Sequence, residues 1–587
     1  MILPGTSGSL SGRRWVWREA EDRISLGIAQ RLGVPEILGR MLAMRGVGVE
    51  AAADFLTPTL RALLPDPSVL IDMDVAAERL TDAVRNGETV AVFGDYDVDG
   101  ACSAAIMTRV LRDLGCTVLP YVPDRLTEGY GPNLPALLRL TAAGASLIVC
   151  VDCGTAAGSV LAGLRGIADA IVLDHHKAEG PPPDVVATVN PNRLDCNSGL
   201  GNLCAGAIAF LTCVALVRCL RRSGHFVGRT EPNLLEMLDM VALASVCDVM
   251  PLVGLNRAFV YQGLKVLARR NRPGLAALMD AAGVKERPSA MTLGFALGPR
   301  INAGGRIGEA DMGLRLLLTG EALEAGRLAQ ALDGVNRERQ QVEAGMLDEA
   351  MASAEAQLAA GHAAVLVAGD GWHAGVVGIV ASRIKEKFNR PACVAGITDG
   401  LAKGSGRSVA GLDLGAAVIA ARQAGILKTG GGHAMAAGFS LPDDQLGAFH
   451  AFLDDRLAAA RGLPGAADLM IEGSVAVGGV TEQLAEQLSR LAPFGPGNDE
   501  PMLVLPRVRV ARADRIGREG ATIRAFLESE GGGGRLKSVM FRAKEGPVAE
   551  ALLLRGGPPL HVAGHVRMEH WNGVSSANFI IQDAANV

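Results

Sequence analysis

The sequence predicts an α/β protein: a doubly wound parallel sheet, then a long connecting helix, a smaller α/β domain and a C-terminal β-barrel. Three observations carry this reading. Apolar strand-like runs alternate with helix-forming segments between residues 89 and 176, the rhythm of consecutive βαβ units. The stretch "EALEAGRLAQALDGVNRERQQVEAGMLDEAMASAEAQLA" contains no proline and is rich in strong helix formers, so it reads as one helix. Beyond residue 500, short β-rich runs such as "GATIRAFLES" and "RLKSVMFRAK" fit a small barrel.

Taken in order, residues 1–75 read as a helical region, with "ISLGIAQRLGVPEILGRMLAMRG" as amphipathic pieces broken by Pro35 and Gly46. The sheet domain spans 76–315. Its strand "TVAVFG" leads into the helix "ACSAAIMTRVLRDLG", which ends at Gly115. Strand "TVLPYVP", helix "LPALLRLTAAG", strand "ASLIVCVDCG", helix "TAAGSVLAGLRG" and strand "DAIVLDHH" continue the alternation. The connecting helix takes 316–358, the smaller α/β domain 359–464 and the barrel 465–587.

The first strand ends in "GDYDVDG", which gathers Asp95, Asp97 and Asp99 within five residues. One such Asp would be turn or N-cap chemistry. Three repel one another unless a cation compensates. The later strand ends deliver Asp152, then Asp174, His175 and His176, so these groups lie along one edge of the sheet, where open α/β sheets bind ligands. Asp248 follows the apolar run "LLEMLDMVALASVCDVMPL". Several carboxylates with one or two imidazoles suit Mn²⁺ or Mg²⁺ better than zinc.

Composition narrows the classes. The net charge of −5, from 57 basic and 62 acidic residues, gives no global field for nucleic acid, so any such surface is local. The N-terminus lacks a signal-peptide layout and no apolar run has the length of a membrane span, which makes the cytoplasm the expected location. The ten cysteines are scattered through apolar segments and read as small buried hydrophobes. In "CVDC", strand geometry sends Cys150 and Cys153 to opposite faces, which argues against a zinc pair.

The motifs "DYDVDG", "VDCG", "LDHH" and "SVCDVMPL", in that order, resemble the four motifs of the DHH phosphoesterases. Downstream, "LGPRINAGGRIGEAD", "GWHAGVVGIVASRIKEKFNRP", "GSGRSVAGLDL" and "GGHAMAAGFSL" resemble the single-strand-specific exonuclease branch of that family, with its DHHA1 domain. "LAPFGPGNDEP" is similar to the sequence that enters the OB-fold of that branch. The resemblance runs from about residue 20 to the C-terminus. It implies a monomeric, metal-dependent exonuclease of DNA recombination and repair, releasing mononucleotides from single-stranded DNA in the 5′-to-3′ direction. Single-strand-binding protein and a RecQ-type helicase are its implied protein partners.

By the family pattern Asp152 bridges two divalent cations, Mn²⁺ or Mg²⁺. Asp97 serves one ion, with Asp95 as a direct or indirect ligand, and Asp99, His175 and Asp248 serve the other. His176 contacts phosphate or the bridging solvent, and Asp174 orients a neighbour. Many relatives carry a histidine at the position of Phe93, which cannot coordinate, so the resemblance implies a more weakly held first ion. Arg125, Arg300, Arg306, Arg383, Arg407 and Ser408 are implied to grip phosphates, Arg being suited to bidentate contacts. Gly432 would let the backbone approach the terminal nucleotide, with His433 alongside. Residues 501–544 hold ten Lys/Arg against four Asp/Glu, which together with the OB resemblance favours a single-strand-binding barrel, Phe541 and Trp571 being candidate stacking groups. Two rivals stand beside this reading. A small-substrate DHH enzyme, an oligoribonuclease or a cyclic-dinucleotide phosphodiesterase, would not need the basic barrel, and a non-catalytic DNA-binding relative would have lost the metal ligands that this chain retains.

Overall fold

The computed structural model describes residues 9–125, 127–517, 520–530, 534–543, 545–571 and 574–587. It divides into two compact units, one of residues 54–339 with 492–499, the other of residues up to 53, 340–491 and 500–587. The N-terminal helices Asp22–Leu32 and Glu36–Met44 form as expected, but they are preceded by a strand, β1 (Trp15–Trp17). Three residues are too few to show a period in the sequence, and β1 is defined by its distant partner, the strand Leu469–Ile471.

The first unit holds five parallel strands: β2 (Thr89–Gly94), β3 (Thr117–Tyr121), β4 (Leu147–Val151), β5 (Asp169–Leu173) and β6 (Ala187–Val189). Their order is β3-β2-β4-β5-β6. Val90, Val92, Leu147, Val149, Val151, Ile171 and Leu173 pack into one core, whereas Ala91, Phe93, Ile148, Cys150, Ala170 and Val172 pack into another on the opposite face. Burial on both faces explains why these strands read as continuous apolar runs. The chain leaves β2 for β3 on one side and returns to β4 on the other. The crevice outside the carboxyl ends of β2 and β4 is therefore a topological switch point, the usual ligand position in such sheets.

Cys150 and Cys153 correct one expectation, since both bury in the same cluster. Strand β4 stops at Val151 and Asp152 takes a φ of 59°, so the two-residue alternation does not reach Cys153. Both are free thiols. The helix expected over "TAAGSVLAGLRG" shrinks to Gly158–Leu161 and a 3₁₀ turn at Ala162–Leu164.

A 38-residue helix, Ala322–Ala359, carries the chain onward. The second unit contains a mixed sheet of β7 (Val365–Asp370), β8 (Ala392–Thr398), β9 (Leu401–Arg407), β10 (Thr429–His433) and β11 (Ala436–Pro442), in the order β10-β11-β9-β8-β7. Next comes β12 (Leu469–Ile471), which pairs in parallel with β1. The barrel follows with β13 (Gly473–Ser474), β14 (Leu503–Ile516), β15 (Thr522–Ser529), β16 (Arg535–Met540), β17 (Leu560–Trp571) and β18 (Val574–Asn586). Strand β14 pairs with both β15 and β17, so five strands close and leave no edge.

The N-terminal segment is welded to this barrel. The Trp15 indole donates to Asp583 Oδ2 at 2.9 Å, and Glu472 accepts from Arg45 at 2.7 Å and Arg18 at 3.2 Å. Arg45 and Glu472 are almost fully buried. Removing one partner of such a pair strands the other charge, so Glu472→Gln is expected to cost about 3 kcal/mol, read from chemical denaturation.

Candidate metal centre

Each acid of the first motif is placed by a different local rule. Asp95 follows β2 and is buried. Asp97 caps the helix Val98–Asp113, its Oδ1 accepting from Gly100 N at 3.0 Å. Asp99 lies in the first turn of that helix and is 1% exposed. Its two oxygens accept from Ala205 N at 2.7 Å and Gly206 N at 2.8 Å, the opening amides of the helix Ala205–Arg222. Asp152 follows β4, and Asp248 caps the C-terminal end of Leu238–Cys247. Asp152 at φ 59° and Val249 at φ 59° both sit in the left-handed region. Such strain, unusual for a β-branched residue, recurs at functional sites.

These elements converge. Donor atoms of Asp95, Asp97 and Asp152 lie within 4.8 Å of one another, as do those of Asp99, His175 and Asp248, and a third group joins Asp152 to His175 and His176. His175 Nε2 stands 3.3 Å from Asp152 Oδ1, 3.5 Å from Asp248 Oδ2 and 3.8 Å from Asp99 Oδ2. Asp95 Oδ1, Asp152 Oδ1 and Asp248 Oδ2 are buried oxygens with no hydrogen-bond donor. Burial followed by the Asp99 and Asp97 charges pushes Asp248 up to about 8. Burial, then Asp97, raises Asp95, and burial followed by the surrounding aspartates raises Asp152. Unsatisfied buried carboxylates with one imidazole fit divalent cations of the Mn²⁺ or Mg²⁺ type.

Asp174 is spent on positioning. Its Oδ1 accepts from His175 N at 2.8 Å, His176 N at 3.2 Å and His176 Nδ1 at 2.8 Å, while Oδ2 accepts from Thr155 N at 3.0 Å. Burial by itself would raise Asp174, but these bonds, His176 first, hold it well below the usual carboxylate range. Burial would likewise lower His176, yet the bond to Asp174 holds it up at about 9.

Three groups escaped the sequence reading. Tyr130 Oη donates to the Asp152 carbonyl at 3.2 Å and lies 3.2 Å from His176 Nδ1. Asn190 Nδ2 donates to the His176 carbonyl at 2.8 Å, and Asn192 Nδ2 to the His175 carbonyl at 2.6 Å. Their signals were a tyrosine in "EGYG" and the pair "NPN" after β6, both of which pass for turn residues.

Phe93 buries in the apolar cluster with its ring 5.3 Å from that of Tyr121. Gly100 is required by close approach, because a Cβ there would stand 2.5 Å from Asp95 O and 2.6 Å from Asp95 N. Gly100→Ala is expected to displace Asp95 and lower turnover about 10²-fold with every carboxylate retained. Steady-state assays on a variant whose fold is checked by circular dichroism measure this.

The arginines differ among themselves. Arg125 lies over the Tyr96 ring at 5.1 Å. Burial and then Asp95 push the Tyr96 hydroxyl up to about 12, against Arg125 and Arg306, which places both cations near the first motif. Arg300 is committed inward, to Asp333 at 2.9 Å and the Ala296 carbonyl at 2.6 Å. Arg383 faces Glu343 at 3.2 Å. Arg407 Nη1 donates to Ser405 Oγ and Gly406 O, both at 2.8 Å. Ser408 departs from the expectation of a phosphate contact: it is fully buried and its hydroxyl donates to Leu412 O at 2.8 Å. Gly432, at φ 147°, could not carry a Cβ, which would lie 2.4 Å from Ala436 O; His433 next to it is exposed at the end of β10.

In the basic segment 501–544, Arg507 and Arg509 share Glu530, Arg512 and Arg524 share Asp514, Arg535 meets Glu528 and Lys537 meets Glu569. Phe541 is exposed. Arg518, Lys544 and the Trp571 side chain lie outside the described residues. Exposed pairs of this kind are weak in water, so a phosphate would displace such a carboxylate at small cost.

Comparison with known proteins matches three family models: DHH family, N-terminal domain, at residues 89–244; DHHA1 domain at 361–459; and RecJ OB domain at 471–583. The single-stranded-DNA-specific exonuclease RecJ of Bacillus subtilis is 32% identical over 98% of this chain and 71% of its own length. That of Dickeya dadantii is 38% identical over 86% of this chain and 89% of its own length. The crystal structure of RecJ in complex with Mn²⁺ from Thermus thermophilus superposes with a TM-score of 0.80 at 30% identity, covering 98% of this chain and 80% of the other, and the same protein is also solved with Mg²⁺.

Proposed function

This chain belongs to the RecJ family of DHH phosphoesterases, and from that premise we propose that it is a metal-dependent exonuclease which hydrolyses single-stranded DNA from the 5′ end and releases mononucleotides. The observation that carries the reading is the meeting of two three-residue donor groups through Asp152 and His175, 3.3 Å apart, at the switch point of the sheet.

Asp152 would serve two divalent cations, Mn²⁺ or Mg²⁺, with Asp95 and Asp97 on one side and Asp99, His175 and Asp248 on the other. Bound there, the ions supply charge neutralisation at the scissile phosphate and a water acidic enough to attack near neutral pH. The protein does the rest by position. The amides of Ala205 and Gly206 hold the Asp99 carboxylate in one orientation, and Asn190 and Asn192 hold the backbone of the histidine pair. Asp174 accepts the hydrogen bond of His176 Nδ1, leaving Nε2 to meet a phosphate oxygen. Arg125 and Arg306 supply positive charge near Tyr96.

Around this centre we assign residues 76–315 to chemistry, 316–358 to the connecting helix, 359–464 to the strand terminus and 465–587 to tracking the backbone. Single-strand-binding protein and a RecQ-type helicase are the proposed partners in recombination and repair, with a monomer as the working unit. No helix among the described residues is long and apolar enough to cross a membrane, and the cytoplasm is the proposed location.

End-labelled linear single strands are expected to be cut from the 5′ end, and covalently closed circles and dinucleotides to resist. Efficient cutting of circles, or full activity in chelator, overturns the proposal. If Arg407 holds the terminal phosphate, Arg407→Ala raises KM about tenfold with kcat within twofold, as removal of a phosphate contact requires. A fall in kcat with unchanged KM would instead place Arg407 in the chemistry.

A further inference from the structure

A small cavity in the first unit lies apart from the metal centre. It measures about 70 Å³ and is lined by Arg109, Arg269, Arg270 and Arg272 together with Glu236 and Asp239. A water needs roughly 15 Å³ by this measure, so the space holds a few waters or one small polyatomic ion, well short of the several hundred Å³ of a nucleoside-sized pocket.

The two acids do not balance the four arginines. Asp239 is consumed by Arg272, which it meets through two bonds of 2.9 and 3.0 Å. Arg270 pairs with Asp280. Arg109 forms no ion pair among the described residues; Asp113, Asp239 and Glu236 act on it only through space. Its Nη1 makes one long bond, 3.4 Å, to the Leu318 carbonyl, and its buried Nε has no partner. Burial and then the neighbouring Arg272 hold Arg109 below the ordinary arginine range. Arg269, exposed at the rim, has no acid partner among the described residues either. A half-buried guanidinium beside a second guanidinium, facing a small cavity, is costly unless an anion completes it.

We propose that this cavity is a phosphate-binding site, separate from the metal centre, in which Arg109 and Arg269 grip a single phosphate group. Arg109 follows Asp99 by ten residues on the same helix, which puts it about 15 Å along the axis from the metal ligands. The planar guanidinium fork matches phosphate oxygens, and the cavity size selects the phosphate while excluding the sugar and base. The group comes either from the backbone of a nucleic-acid strand or from free phosphate.

The site is tested on the full chain. Millimolar inorganic phosphate, against chloride at equal ionic strength, is expected to raise the melting temperature of the wild type by a few degrees. The rise should be lost in Arg109→Leu and reduced in Arg269→Ala, an exposed position whose replacement leaves folding intact. If the source is a nucleic-acid backbone, Arg269→Ala also lowers the slope of log affinity against log salt for single-stranded DNA by about one unit. An unchanged slope with the phosphate-dependent rise retained in the wild type assigns the site to free phosphate. A wild type with no phosphate-specific rise, and an Arg269→Ala slope equal to that of the wild type, overturns the proposal. Because these readouts need no turnover, they stand or fall apart from the nuclease assignment.

Discussion

Asp152→Asn is expected to reduce exonuclease turnover with Mn²⁺ or Mg²⁺ by a factor on the order of 10³ or more, while single-stranded DNA binding largely survives. Asp152 belongs to two of the three donor groups at this centre and lies 3.3 Å from His175, so its loss weakens both halves of the centre together. Asparagine is the right replacement, because it tolerates the positive φ that alanine would not. The same change should make the cation-free protein more stable. Asp152 is 2% exposed and its folded pKa lies above the unfolded value, so the folded state binds the extra proton. Stability in chelator then falls as pH rises above the ordinary carboxylate range, and Asp152→Asn flattens that fall. Melting in chelator at pH 5 and pH 8, and again with Mn²⁺, reads both effects. A variant with normal turnover and an intact cation-induced rise in melting temperature would remove Asp152 from the centre.

What could be read beforehand follows from how each group is placed. Asp95, Asp97 and Asp99 are contiguous and follow a strand that reads as buried, so their convergence is nearly a local property. Asp152, His175 and His176 sit at the ends of consecutive parallel strands, and the strand order alone brings them to one edge. Tyr130, Asn190 and Asn192 reach the centre from loops, with nothing periodic to mark them. The arginines show a second limit. Residue type suggests a phosphate contact for Arg300, but Asp333, on another helix 33 residues away, already holds it. Ser408 is drawn inward by the Leu412 carbonyl in the same way. Strand β1 was illegible for the same reason, since its partner lies more than 450 residues later.

His176→Ala is expected to lower kcat by about 10² to 10³ while leaving the cation-induced rise in melting temperature largely in place. The ring is half exposed, and its Nδ1 is committed to Asp174 Oδ1 at 2.8 Å. It approaches Asp152 only at 4.0 Å through that same nitrogen. Nδ1 therefore has little left to offer an ion, and Nε2, 3.4 Å from Tyr130 Oη, is the atom that would meet a substrate oxygen. The energetic partner of this arrangement is Asp174, whose Oδ1 accepts from three N–H groups and so fixes the ring orientation and favours the protonated ring. Asp174→Asn swaps one acceptor oxygen for a donor amide and should cost about 10- to 100-fold in turnover, the usual loss when an orienting neighbour is altered. The two effects must not add. Once His176 is gone, Asp174 has no ring to orient, so the double variant should be little worse than His176→Ala alone. If His176→Ala instead removes the cation-induced stabilisation as fully as Asp152→Asn, the imidazole is a ligand, and the grip on the phosphate passes to Arg125 and Arg306.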